Sequence, residues 1–229
     1  MKNPWTIVGI VALVLIGGSI WYSNAVSAKN NEGITFSPHL KGDSEASVKL
    51  VEYSDLQCPA CASFQPILEQ IINEFGDSLS LEYKHFPLPI HKLAEPAARA
   101  AEAAGQQDAF FAFHDKLFEN QTTWSKSPNP TALFMQYAKE LSLDVDKFKR
   151  QMNSSMIREM VRDSAREGRE LGITGTPTFF LNGERMSFQT YEEFKNQITA
   201  VINPEVNFTV DGATTSTDTT TESSVQFGI

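Results

Sequence analysis

The chain has 229 residues, 41% of them hydrophobic, with 28 acidic against 19 basic side chains and a formal net charge of −9. Length and apolar content suffice for one sizeable core, and the acidic balance argues against nucleic-acid binding, which rewards a basic face. Part of that acidity sits in the C-terminal tail, where Glu205, Asp211, Asp218 and Glu222 meet no Lys or Arg.

At the N-terminus, Lys2 precedes an almost unbroken apolar run over residues 5–22. Such a run is long enough to cross a bilayer, with Trp5 and Trp21-Tyr22 placed as an interfacial belt. It is long for the apolar region of a cleaved signal peptide. Residues 1–27 are therefore read as an uncleaved anchor, with a signal peptide ending near Val26-Ser27-Ala28 as the alternative. Either reading puts the rest of the chain outside the cytoplasm, where disulfides persist. Residues 28–47 are polar and read as a linker with one short strand near 34–36.

The folded domain is read over residues 48–202. Val48, Leu50 and Glu52 alternate with Lys49, Val51 and Tyr53, a strand pattern. Residues 54–57 lead into a helix over 59–75 that carries Phe64, Ile67, Leu68, Ile71, Ile72 and Phe75 at helical spacing. Pro59 suits its first turn, Pro66 predicts a kink, and Gly76 predicts its end. A second strand over 79–86 completes a βαβ unit.

Pro87-Leu88-Pro89 then breaks the chain, and residues 91–170 read as an inserted helical block. Its helices fall at 93–104, 108–118, 131–141, 144–152 and 154–171. The last alternates charges of opposite sign on a solvated face. Phe110, Phe111 and Phe113 read as core of this block, with a peptide groove as the alternative. A strand over 178–181, the Asn182-Gly183 hairpin turn and a return strand over 184–188 follow. The final helix is capped by Thr190 and Glu193 and buries Tyr191, Phe194, Ile198 and Val201. Residues 203–229 are Thr/Ser-rich and read as a disordered tail.

Cys58 and Cys61 are the only cysteines, separated by Pro59-Ala60 at the start of the first domain helix. Two thiols at that spacing and place form a reversible dithiol/disulfide switch. A purely structural bridge over so short a loop would remove little chain entropy. A structural zinc site needs about four ligands, and His39, His85, His91 and His114 show no paired spacing. No metal and no organic cofactor is expected. Unpaired N–H groups and the helix dipole should favour a Cys58 thiolate. Cys61, one turn further in, should be more buried and harder to ionise. Glu52 points at the core from the preceding strand, so its pKa should rise and it could pass a proton to or from Cys61. The alternative is an edge-strand Glu that reaches water. His85, His91 and His114 are read as structural.

Val51-Glu52-Tyr53-Ser54-Asp55 before Cys58-Pro59-Ala60-Cys61, the kink residue Pro66, His85-Phe86-Pro87-Leu88-Pro89, and Gly175-Thr176-Pro177-Thr178-Phe179-Phe180 together resemble the thioredoxin superfamily, within it the DsbA-like thiol:disulfide oxidoreductases. The resemblance covers residues 40–202. It implies an α/β thioredoxin-like fold with an inserted helical subdomain, preceded here by the transmembrane helix. It implies that Pro177 is a cis-proline facing the cysteines, that Glu52 is the buried acid, and that a membrane redox partner reoxidises the dithiol. Pro59-Ala60 departs from the Pro-His of the family's best-known oxidant, so an imidazole that would stabilise the thiolate is absent. A proline that withdraws its N–H at a strand start also fits a cis Thr176–Pro177 bond. The Thr176 backbone would then be open to an extended substrate, beside Pro59 and Ala60. The expected activity is transfer of the Cys58–Cys61 disulfide to thiol-containing exported proteins, by a single-pass membrane protein with its catalytic domain periplasmic or extracellular. The alternatives are a reductase or isomerase of the same fold, or a non-catalytic peptide-binding chaperone.

Overall fold

A computed structural model describes residues 4–204, with side chains described from residue 8. The tail beyond residue 204, read as disordered, lies outside the described residues. A helix α1 (Pro4–Asn30) leads to strand β1 (His39–Gly42), then β2 (Val48–Ser54), α2 (Pro59–Phe75) and β3 (Leu79–His85). Six helices follow: α3 (Ala94–Gly105), α4 (Phe110–Glu119), α5 (Gln121–Trp124), α6 (Pro130–Glu140), α7 (Val145–Met152) and α8 (Ser155–Glu170). Strands β4 (Thr178–Leu181) and β5 (Glu184–Arg185) and helix α9 (Tyr191–Ile202) close the domain.

The sheet runs β1-β3-β2-β4-β5, with β2 and β3 parallel and the other pairs antiparallel. Strand β2 is therefore internal, and its two faces are buried differently. Val48 and Leu50 join Phe64, Leu68 and Ile71 of α2 and Phe194 and Ile198 of α9 in one core. Tyr53 packs on the opposite face with Phe86, Ala165 and Phe180. A third core fills the helical block and reaches Cys58, Cys61 and Tyr83, so the cysteines lie at the seam between block and sheet. Phe110 and Phe113 are buried in it, as expected, whereas Phe111 is only partly buried against it.

Helix α1 continues through the predicted cleavage segment, and 8–30 is long and apolar enough to cross a membrane. The stretch after it differs from the reading. Its strand lies at His39–Gly42, not at 34–36, and pairs with β3 from His39↔Tyr83 to Gly42↔Ser80. Nor is it a free linker. Asn31 meets Ser154 and Ser155 at the start of α8. Thr35 and Gln106 exchange backbone-to-amide hydrogen bonds of 2.9 and 2.8 Å. His39 stacks on Phe110 at 3.4 Å and its Nε2 lies 2.7 Å from Glu102 Oε1. These anchors are single polar side chains, which leave no period in the sequence.

Smaller departures have local causes. The short α5 is additional to the predicted helices. The return strand β5 stops at Arg185. In α9, Phe194 and Ile198 are buried but Val201, in the last turn, is 40% exposed. Thr190 Oγ1 accepts from Glu193 N–H at 3.2 Å, while Glu193 Oε2 accepts from Gln189 N–H, one residue before the cap. Gly76 ends α2 with φ −59°, so left-handed backbone is not the reason for glycine there. A Cβ would stand 2.5 Å from Ile72 O.

Helix α8 lies against the sheet through Gly168, where a Cβ would stand 2.6 Å from Phe86 Cδ2 and 3.1 Å from Tyr53 Cδ1. Both rings are buried and cannot swing aside. Gly168→Ala should therefore destabilise the fold by about 1–3 kcal/mol through overpacking, against a gain of about 1 kcal/mol in helix propensity. A lowered urea midpoint is the expected result, and a raised midpoint would refute close packing at Gly168.

Candidate active site

The site begins where β2 hands over to α2. Cys58 is the N-cap of α2 with extended backbone, φ −74° and ψ 122°, and Pro59 occupies the first helical position. The first turn therefore presents its free N–H groups beside Cys58 Sγ. Pro59 and Ala60 are exposed on the outside of this turn. Cys61 faces inward and is 0% exposed, against 7% for Cys58. Both thiols are free.

One helical turn separates opposite titration behaviour. The Cys58 pKa is lowered to about 5. The largest cause is the Cys61 thiol, which hydrogen-bonds to it; burial opposes, and Thr176 and the backbone N–H groups of Cys61 and Ala60 add to the lowering. Cys61 is pushed up, first by burial, then by Cys58 and by the charge of Glu52. Its Sγ accepts from Asp55 N–H at 3.5 Å.

Across the sheet, Thr176 precedes Pro177 through a cis peptide bond, as the sequence predicts. The Cys58 thiol donates to Thr176 O at 3.5 Å. Thr176 Oγ1 is buried without a hydrogen-bond partner among the described residues, so its O–H is free to turn toward a Cys58 thiolate. A groove of ≈ 340 Å³ runs beside Pro177, lined also by Phe179, Arg185, Met186 and Phe188.

Glu52 is 1% exposed on the internal strand β2, so the edge-strand alternative does not hold. Burial raises its pKa to about 7, against Ser54, Gln65 and Lys41, which favour the charge. Gln65 Nε2 approaches Glu52 Oε1 at 3.5 Å.

The loop that carries Cys58 is held by residues to which the sequence assigned no role. Asp55 is buried, and its carboxylate accepts from Gln57 N–H at 2.7 Å and Leu88 N–H at 2.8 Å, with His91 Nδ1 at 2.7 Å. Gln57 Oε1 accepts from Leu93 N–H at 2.7 Å. Gln121 Nε2 donates to Leu56 O at 2.8 Å and Cys58 O at 3.0 Å, tying α5 to the redox turn. His91 thus braces this loop from just before α3, a structural role as expected. An Asp three residues before Cys58 is a turn signal, but nothing in the sequence singles out Gln121. His85 Nε2 lies 3.0 Å from Glu102 Oε1 and is a paired core residue, as expected. Among the described residues no group of three His, Cys, Asp or Glu is placed to hold a metal.

The raised Glu52 pKa has a sign that can be checked. The fold holds this carboxyl protonated more tightly than the unfolded chain does. Its share of stability is complete below pH 4.5 and is lost as pH rises through about 7. At about 1.4 kcal/mol per unit, the loss is on the order of 3 kcal/mol. Reduced Glu52→Gln protein should match wild type near about pH 4 and exceed it by roughly 3 kcal/mol near about pH 9. Equal stability at both values in urea unfolding would show that Glu52 is not perturbed.

The comparisons with known proteins agree with this geometry. The family model described as thioredoxin matches residues 35–200. A probable disulfide bond formation protein D from Bacillus anthracis is 31% identical over 187 residues, 77% of this chain and 86% of that protein. The crystal structure of oxidised BdbD from Bacillus subtilis has a TM-score of 0.63 and 25% identity, and the match covers 75% of this chain and 99% of that one. The Na(+)/H(+) antiporter NhaA 1 of Mycobacterium sp. strain KMS is 35% identical over 152 residues, 64% of this chain but only 24% of that protein. This chain therefore spans about a quarter of the length of the first curated relatives it matches. With its fold, its family match over residues 35–200 and a relative matched over most of both chains, the chain belongs to the thioredoxin family, alongside disulfide bond formation protein D.

Proposed function

We propose that this protein is a membrane-tethered thiol:disulfide oxidoreductase that donates the Cys58–Cys61 disulfide to exported proteins. The carrying observation is the Cys58 thiol at the start of α2, with its pKa lowered to about 5 and Cys61 buried one turn behind it. A substrate thiolate attacks Cys58 Sγ and forms a mixed disulfide, expelling Cys61 as a thiolate that takes a proton from Glu52. The substrate's second thiolate attacks its own sulfur in that bond and expels Cys58 as a thiolate. The substrate leaves with a disulfide, and the enzyme keeps two electrons.

The leaving group supports this direction. A stabilised Cys58 thiolate makes the reduced enzyme the stable form and its disulfide oxidising. Thr176, Pro59 and Ala60 would receive the substrate backbone beside Cys58, and Pro177 would border a groove on the β4–β5 side. A membrane redox partner would take up the two electrons. The anchor α1 would hold the domain outside the cytoplasm, where substrate thiols emerge. Antiport is not carried to this chain by relatives of which it spans a quarter.

In a test with a reduced, unfolded dithiol protein, the oxidised wild type should oxidise one equivalent. Cys58→Ser should abolish transfer, and Cys61→Ser should accumulate mixed disulfides on Cys58. Undiminished transfer by Cys58→Ser would overturn the reading. In cell fractionation the protein should remain with membranes after alkaline washing, and release into the soluble fraction would reject the tether.

A further inference from the structure

Glu52 is sealed from solvent, yet on the exchange reading every proton it takes from Cys61 must leave and later return. The surroundings offer an exit. Glu52, Gln65, Tyr83 and His114 line a common cavity of ≈ 10 Å³, a volume that admits one water. His114 is 1% exposed, and its Nε2 is buried without a hydrogen-bond partner among the described residues. Its other nitrogen, Nδ1, lies 2.7 Å from Asp115 Oδ1. The Asp115 side chain is 43% exposed and also meets Lys41 Nζ at 3.5 Å. Most buried side-chain polar atoms are hydrogen-bonded, and in this cavity both His114 Nε2 and the Tyr83 hydroxyl lack a partner among the described residues. His114 pairs the nitrogen that meets the half-exposed Asp115 and leaves the other without a partner among the described residues, and the residue lines the cavity it shares with the buried acid.

We propose that His114 is a relay residue that carries protons between Glu52 and Asp115 through a single water, and so connects Cys61 to solvent. The charge states suit the task. Burial lowers the His114 pKa, with Lys41 and His85 adding to this and Asp115 opposing it. Burial acts upward on Asp115, but His114 and Lys41 outweigh it and keep it ionised. The resting ring is then neutral, with Nδ1–H donating to Asp115 and Nε2 as an acceptor. The other polar groups lining the cavity are Lys41 from β1, Tyr83 from β3, and Gln65 and Glu69 from α2.

The transfers balance over a cycle. During reoxidation, Cys61 attacks the mixed disulfide on Cys58 and gives its proton to Glu52. Glu52 passes a proton to the water and the water passes one to Nε2. Nδ1 releases its proton to Asp115, which loses it to solvent. The ring is left as its other tautomer. During disulfide donation, Nε2–H protonates the Glu52 carboxylate through the water, Glu52 gives that proton to the departing Cys61 thiolate, and Asp115 passes a proton from solvent to Nδ1, which leaves Glu52 again a carboxylate. The starting tautomer is restored, and no electron moves along this path.

The inference rests on the exchange reading, so the test separates the two. Full-length reduced protein is loaded with glutathione on Cys58, and the release of glutathione as Cys61 closes the disulfide is timed. Cys61→Ser must retain glutathione; release at the wild-type rate there would defeat the exchange reading itself. His114→Gln should slow release about 10-fold, less than the roughly 100-fold attributed to a direct general acid or base. The equilibrium constant with glutathione should stay within about twofold, because a relay speeds both directions alike. Asp115→Asn, at an exposed position that tolerates change, should slow release in the same way and keeps the test valid if His114→Gln does not fold. In a Glu52→Gln background neither substitution should slow release further. Equal slowing with and without Glu52, or no slowing by Asp115→Asn, would overturn the relay.

Discussion

Negative charge is welcome at one sulfur and refused at the next, a single helical turn away. Cys58 occupies the open end of α2, where backbone N–H groups of Ala60 and Cys61 and the Cys61 thiol converge on it. Cys61 lies among apolar side chains, where a second charge would face both burial and the Cys58 thiolate. Neither half would suffice alone. A pair of equally stabilised thiolates would lack a distinct entry sulfur, and a pair of equally buried thiols would not react. The first turn of α2, with Pro59 at its first helical position, imposes the difference through geometry.

The turn is held from three directions. Asp55 and Gln57 bind the 88–93 loop through the backbone of Leu88 and Leu93, and Asp55 also binds His91. Gln121 reaches in from the helical block to the carbonyls of Leu56 and Cys58. Thr176 approaches from the strand side. The inserted helices therefore do more than cover the sheet. They supply the amide without which the Leu56 carbonyl would be buried unpaired, a cost of about 1–3 kcal/mol, and a second donor to the Cys58 carbonyl, which already accepts from Ala62 N–H.

Two buried glutamates show how neighbours decide ionisation. Glu52 and Glu102 are 1% and 2% exposed. Glu102 receives His39 and His85 on one carboxylate oxygen, and together they outweigh burial and lower its pKa. Glu52 has weaker support, with Gln65 at 3.5 Å, and burial prevails. The first acid is a fixed charge that anchors β1 through His39. The second is poised near neutrality beside the dithiol. Equal burial gives opposite outcomes because hydrogen bonds to the charged form, not depth, settle which form persists.

Much of this was legible in the sequence because it is periodic or local. Alternation in residues 48–53 turned Glu52 inward, helical spacing from Phe64 to Phe75 defined α2, and a two-residue interval set Cys61 one turn behind Cys58. Those relations survive in any structure that keeps the strand and the helix. What only the tertiary structure decided are pairings between single residues far apart in the chain. Gln121 meets Cys58 O across 63 residues, Asp55 meets His91 across 36, and His39 meets Glu102 across 63. Each involves one polar side chain finding one group, which leaves no repeat to detect. The same holds for residues 31–42, which lie bound along the helical block where composition predicted a linker. Propensity and hydrophobic pattern report what a segment does with its own neighbours, whereas a buried polar group is satisfied by whatever the folded chain brings to it.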